Sequence, residues 1–130
     1  MSALSYVHAA NMLDYSLRSG GTLYLALYLT EPGTGDGGTE VSGTGYSRKA
    51  IAFGDAPAVV EGVETLANTA DVNFGTATSA WGSVGYWGIH SAASGHSNSL
   101  LWYGAFRRAK TIEINDSVVV AAGDLVVTLG

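Results

Sequence analysis

The residues of this 130-residue chain that could carry chemistry are few and scattered. His8, His90 and His96 are the three imidazoles, and their separation gives no recognisable zinc spacing. No cysteine supplements them, which removes disulfides, thiolate chemistry and thiolate metal ligands. His8 falls in a helical pattern and His96 in a polar turn, so both read as structural or surface residues. His90 follows Ile89 near a strand end and reads as partly buried. As a general base it would need an orienting carboxylate and a nucleophile, which its neighbours in sequence do not supply. Glu31, Asp36 and Glu40 place carboxylates in one glycine-rich segment, where calcium is the chemistry to weigh. Their spacing does not match the acidic loop closed by a glutamate, and a solvated contact loop is the reading they carry. That segment also has no GxxxxGK[ST], no lysine and no helix after it, so it is not a phosphate loop. No pair of acids is set apart as catalytic. The expectation is a protein that is not an enzyme and has no catalytic residue, metal or cofactor.

Composition narrows the class further. Charged residues are 13% of the chain against a usual share of about 25%, and glycine contributes 18 residues. A lightly charged, turn-rich surface tolerates contact. The net charge of −5 argues against a phosphate-backbone binder, because six basic residues would have to outweigh eleven acids. Arg107, Arg108 and Lys110 form a small basic group, with Arg48 and Lys49 in a separate segment. They read as a solvated strand end, inter-subunit ion-pair donors, or a contact for an acidic neighbour. The first residues lack a positive n-region and a continuous apolar run, so a soluble chain without a Sec-type signal is expected.

The elements that must position these residues follow from periodicity. Residues 4–18 read as a helix, with Leu4, Val7, Ala10, Leu13 and Leu17 as its apolar stripe and Gly20-Gly21 as its end. Thr22 to Leu29, TLYLALYL, then alternates Leu23, Leu25, Leu27 and Leu29 with a second row, Tyr24, Ala26 and Tyr28. A strand with two apolar faces needs cover on both, from another sheet, the helix or a neighbouring subunit. Short strands are expected at about 22–30, 46–53, 69–74, 84–91, 99–107, 110–114, 117–121 and 124–129. This pattern predicts an all-β sandwich or barrel. Residues 31–45 read as a long exposed loop, Glu61-Gly62 as a hairpin tip, and the last three strands as a meander or the close of a Greek key. Asn115-Asp116-Ser117 fits the glycosylation pattern, which is frequent by chance. Trp81, Tyr86, Trp87, Trp102, Tyr103 and Phe106 cluster in the second half, and the Tyr86-Trp87 and Trp102-Tyr103 pairs put neighbouring rings on opposite sheet faces.

Several segments are similar to a family of small tailed-bacteriophage structural proteins described as phage tail fibre proteins. The resemblance is carried by Leu23-Tyr24-Leu25-Ala26-Leu27 with Glu31-Pro32-Gly33, by Glu40-Val41-Ser42-Gly43 leading to Gly45-Tyr46-Ser47-Arg48, and by Thr76 to Gly82. Leu100-Leu101-Trp102-Tyr103-Gly104 and Ile114 to Leu129 extend it over nearly all of the chain. Arg107-Arg108 departs from the neutral turn expected there. The resemblance implies a non-catalytic virion protein with one domain over 1–130, a helix at 4–18 and a jelly-roll-type antiparallel β-sandwich of about eight strands over 22–129. The function first expected is capsid cement or decoration, and the alternative is a tail fibre, baseplate or fibre-tip protein with carbohydrate binding for host attachment. The partners expected are a second copy, as dimer or trimer, and the major capsid protein or a tail or baseplate protein, with no nucleic acid and no membrane. Its place would be the virion, on the capsid surface or alternatively the tail, after assembly in the bacterial host cytoplasm. Tyr24, Tyr28, Trp87, Trp102, Tyr103, Arg107 and Arg108 are the expected oligomer or shell contacts, with Glu31, Asp36 and Glu40 as loop contacts.

Overall fold

The structure, a computed structural model, describes residues 5–18, 21–54, 57–60 and 63–129. Its helix, α1, spans Tyr6–Arg18. Ser5 caps it, since the His8 amide donates to Ser5 Oγ at 3.2 Å and the Ala9 amide to the Ser5 carbonyl at 2.9 Å. Arg18 sits in the last turn, where a cation complements the helix dipole, and its guanidinium donates to the Phe53 and Gly54 carbonyls. The buried stripe is Ala9, Leu13 and Leu17, a strict i, i+4 row. Val7 is 73% exposed and Ala10 only half-buried, so the helix is rotated from the expected Val7/Ala10 face. Leu4 and the expected stop at Gly20 lie outside the described residues. Leu13 and Leu17 each contribute about 2 kcal/mol by burial.

Among the described residues the strands are β1 (Leu23–Tyr28), β2 (Lys49–Ile51), β3 (Ala58–Val60), β4 (Val63–Ala67), β5 (Val72–Thr76), β6 (Gly82–His90), β7 (Leu100–Ile112), β8 (Ser117–Val120) and β9 (Val126–Leu129). They form three antiparallel sheets, ordered β2-β1-β6-β7, β3-β4-β9 and β5-β8. The all-β class with one N-terminal helix stands, but this order does not build the expected jelly roll. The expected closing meander is also absent: β8 pairs with β5 and β9 with β4. The two strands expected at 99–107 and 110–114 are one continuous β7. The antiparallel β3–β4 pair, whose last register pair is Val60 with Val63, is what a hairpin tip read at Glu61-Gly62 implies, although the sequence pattern marks no strands over its arms; the tip residues themselves lie outside the described residues. No described helix is long and apolar enough to cross a membrane.

The β1 strand has both faces buried, as its two apolar rows require: Leu25 and Ala26 are fully buried, as is Tyr28. Its leucine row joins a continuous core with Leu13, Phe53, Phe74, Trp81 and Ile89. On its other face Ala26 and Tyr28 are covered within the chain, while Tyr24 stays half-buried. The segment expected to be a free loop pairs along the edge of β1 and supplies the Asp36 partner of Tyr28. Residues 31–40 fold back on β1, with the Leu29 amide donating to the Thr39 carbonyl at 2.8 Å and the Val41 amide to the Leu27 carbonyl at 2.9 Å. Val41 is buried and Tyr28 forms a bridge with Glu40.

Candidate functional site

Two glycines let the large rings lie flat across the four-stranded sheet. A Cβ on Gly104 would meet Trp87 Cζ2 at 2.6 Å, and Gly104 is Trp87's register partner on β7. A Cβ on Gly88 would meet Tyr28 Cε1 at 2.9 Å, so the absence of a side chain there lets Tyr28 cross β6 toward His90. Its hydroxyl reaches His90 Nε2 at 2.8 Å and donates to Asp36 Oδ1 at 2.7 Å. Both residues are wholly buried.

Around this pair the structure assembles a polar cluster from segments distant in sequence. Arg48 grips Glu40 with two charge-assisted bonds, Nε to Oε2 at 2.9 Å and Nη2 to Oε1 at 2.8 Å. It also donates to the Ala92 and Gly95 carbonyls, tying the 91–98 turn to the 31–40 segment. Tyr46 donates to Glu40 Oε2 at 2.6 Å and accepts from the Leu27 amide at 3.0 Å. His96 spans the two acids, with Nδ1 2.6 Å from Asp36 Oδ2 and Nε2 3.1 Å from Glu40 Oε1. His90 Nδ1 meets Ser99 Oγ at 2.8 Å, and Ser99 can pass its proton to the Gly95 carbonyl at 3.3 Å.

These contacts set the charges. Burial raises the Glu40 pKa, but the hydrogen bonds from Arg48 and Tyr46 and the Arg48 charge outweigh it and hold the carboxyl below its usual range. Burial works against the Arg48 charge, and Glu40 more than offsets it. Burial, then the Asp36 hydrogen bond and the acid charges, raises Tyr28; burial and the Glu40 hydrogen bond raise Tyr46, and both phenols stay neutral. Burial, helped by the Arg48 charge, lowers His90 to about 4. Arg48 and Glu40 thus meet as a charged pair beside a neutral His90.

Among the described residues the surface offers three open clefts, one of them, of about 570 Å³, between the end of α1 and β2. Another, of about 710 Å³, lies between α1 and β7 and is lined by Met12, Tyr15, Leu23, Leu101 and Trp102 with polar Asn11 and Ser16. Trp102 donates its indole N–H to Ser16 Oγ at 2.7 Å, fixing its edge to the helix. The third, of about 590 Å³, has an apolar floor that includes Val84, Trp87 and Phe106 beneath Arg107, Arg108 and Lys110. Its cations are gathered by an irregularity: Val84 pairs with Lys110 but Tyr86 with Ala105, so β7 bulges between 105 and 110. The side chains of Arg107, Arg108 and Lys110 have no hydrogen-bond or ion-pair partner among the described residues.

The predicted site residues thus divide. Tyr28 and Trp87 are buried inside the chain, whereas Tyr24, Trp102 and Tyr103 are half-buried and Arg107 and Arg108 exposed. Of the loop contacts, Glu31 faces solvent while Asp36 and Glu40 turn into the cluster. Their oxygens already meet Tyr28, Tyr46, Arg48 and His96, so they do not form an open calcium loop. Sequence spacing did not reveal the grouping of Asp36, His90 and His96, because it is made by long-range folding. The one local hint was a histidine directly after Ile89 in an apolar strand.

This is a small β-rich domain in which the buried Asp36, Glu40 and Arg48 bond to groups of the same chain and no nucleophile is set against a base and its orienting acid among the described residues. The chain belongs to the family described as Podophage GP4 fiber I protein gp80, whose model matches residues 3–128. It is a non-catalytic bacteriophage structural protein and associates with the virion. No curated protein matches it.

Proposed function

We propose that the chain is a component of a phage tail fibre that assembles as a homo-oligomer and docks to other tail components. The observation that carries this reading is the family match across residues 3–128, whose description is of a fiber protein. It favours the tail alternative over capsid cement. The α1/β7 cleft and the basic cleft supply contact area on two sides of the domain, and several exposed apolar residues, including Val7, Tyr15 and Leu101, lie on or near α1. Specific interfaces bury about 1,600 Å² in total, and repeated copies strengthen modest contacts by avidity. Cryo-electron microscopy of the virion tests it: density for this chain confined to the tail supports the proposal, and regular copies at capsid symmetry axes overturn it in favour of cement.

A second reading, sugar binding for host attachment, is favoured at one place. Burial leaves Trp81 and Trp87 little face for stacking, while Trp102 borders the open α1/β7 cleft beside Asn11, Ser16 and Ser91. Saturation-transfer NMR with host-surface oligosaccharides would detect such binding, and retention of the signal in Trp102→Ala would remove this site from it.

A further inference from the structure

We propose that Asp36, His90 and His96 form a binding site for a divalent transition-metal ion of the zinc class, one that staples the 31–40 segment and the 91–98 turn to the end of β6. One ligand atom from each of the three residues lies within 4.8 Å of the others. Two imidazoles and one carboxylate suit zinc and its neighbours, whereas calcium and magnesium require mostly oxygen donors. Three protein ligands leave a fourth position for solvent or for a group from a docked partner.

The surroundings of His90 are those of a metal ligand. With the Tyr28 proton on Asp36, one arrangement places the His90 proton on Nε2, toward the Tyr28 oxygen, and turns the single Ser99 proton from the Gly95 carbonyl to Nδ1. Metal binding needs the other tautomer, with a lone pair on Nε2. Ser99 is already placed to support it, accepting from Nδ1–H while donating to the Gly95 carbonyl. A hydrogen bond from the non-ligating nitrogen is the outer-shell contact that orients ligating histidines.

Asp36 has a side chain only 6% exposed, and the guanidinium nearest it is already engaged with Glu40 in two bonds. Its charge is met by the Tyr28 hydroxyl and by His96. A cation between Asp36, His90 and His96 would take the Asp36 carboxylate as its anionic ligand. His96 is 43% exposed, so the site opens to solvent on its side and this imidazole has room to move. It needs to: 2.6 Å between His96 Nδ1 and Asp36 Oδ2 is a hydrogen bond, and ligands of one tetrahedral ion sit roughly 3.3 Å apart given metal–ligand bonds of about 2 Å. Binding exchanges that hydrogen bond for two metal–ligand bonds, and any proton on Nδ1 passes to solvent.

The experiment uses the untagged full chain, stripped with chelator and titrated with ZnCl2 by calorimetry, with cobalt(II) absorption as a readout of coordination. The expected result is one ion per chain, a visible cobalt d–d band, and a thermal midpoint raised by several degrees. Outer-shell changes alone cost 10- to 100-fold in affinity, so loss of a ligand in His96→Ala or Asp36→Asn lowers affinity by about 100-fold or more. His96→Ala alters an exposed side chain, and unchanged circular dichroism verifies its fold. His8→Ala is the control, because His8 is exposed on α1 and its substitution leaves binding unchanged. Absence of binding at about 1 mM zinc, or wild-type affinity in both ligand variants, overturns the site.

Discussion

Charge is handled in opposite ways at two places in this molecule. In the cluster beneath the 31–40 segment, Glu40, Arg48, Asp36 and His96 meet one another, and Tyr28, Tyr46 and His90 supply the remaining hydrogen bonds. At the β7 bulge, Arg107, Arg108 and Lys110 stand over an apolar floor with their side chains unpartnered among the described residues. In the first arrangement the groups are bonded to one another, with only His96 reaching solvent. The second is open, and in a chain of net charge −5 it concentrates half of the six basic residues at one cleft. The difference separates groups that bond to one another within the chain from groups left open to solvent at a cleft.

The comparison breaks most severely at Arg48. Its side chain is 2% exposed and it is the cation that meets Glu40, so Arg48→Ala leaves a buried carboxylate without its charge partner and two turn carbonyls without their donor. Removing one member of such a pair costs about 3–5 kcal/mol. Urea unfolding measures it, and a loss below about 1 kcal/mol would place the pair in a solvated setting instead.

Acid attacks the same cluster more gently. The unfolded imidazole of His90 takes up its proton near 6.5 and the folded one only near 4. Between these values the unfolded chain binds more protons, so stability is complete above 6.5 and declines as pH falls toward 4, by about 3 kcal/mol between pH 7 and pH 4. Glu40, held below its usual range, adds a loss of the same sign as pH falls through its folded value. Unfolding free energies measured across this range with chelator present check it; a flat profile would mean that His90 is not buried neutral.

Glu64 sharpens the contrast from a third position. It is 6% exposed on β4, yet its Oε2 has no hydrogen-bond partner among the described residues. It is a buried carboxylate without the donors that surround Glu40. Replacing it with an apolar residue of similar length, Glu64→Met, removes a desolvation cost and raises stability by about 1 kcal/mol. A denaturation midpoint that falls in this variant would show that Glu64 finds a partner in solution.

What the sequence revealed depended on how local the causes were. The two-faced β1 was legible because its period-two rows state their burial directly. The helix was legible in extent, but its face was not: Val7 and Ala10 fit a 3.6-residue stripe as well as Ala9 does, and packing against β4 and β9 decided between them. Residues 31–45 read as a free loop because glycine and acids are usually solvated, whereas Glu40 and Asp36 are drawn inward by Arg48, Tyr28 and His96. The β7 bulge and the cluster share one cause of illegibility. Each depends on register and on contacts between residues far apart in the chain, such as Tyr28 with His90, and no spacing rule encodes them.

The open side of the comparison predicts the smallest change in stability and the clearest separation of roles. The double variant Arg107→Ala with Arg108→Ala removes two exposed side chains that make no hydrogen bond or ion pair in the described structure, so the unfolding free energy shifts by no more than about 0.5 kcal/mol. If these cations serve an acidic partner in the tail, the folded variant enters virions poorly, and the wild-type interaction weakens as salt rises past physiological strength. Incorporation measured by quantitative mass spectrometry of purified particles reads the first effect, and salt-dependent pull-down by the isolated tail reads the second. Normal incorporation with unchanged salt dependence would assign the bulge to a solvated strand end and leave the α1/β7 cleft as the surface that docks.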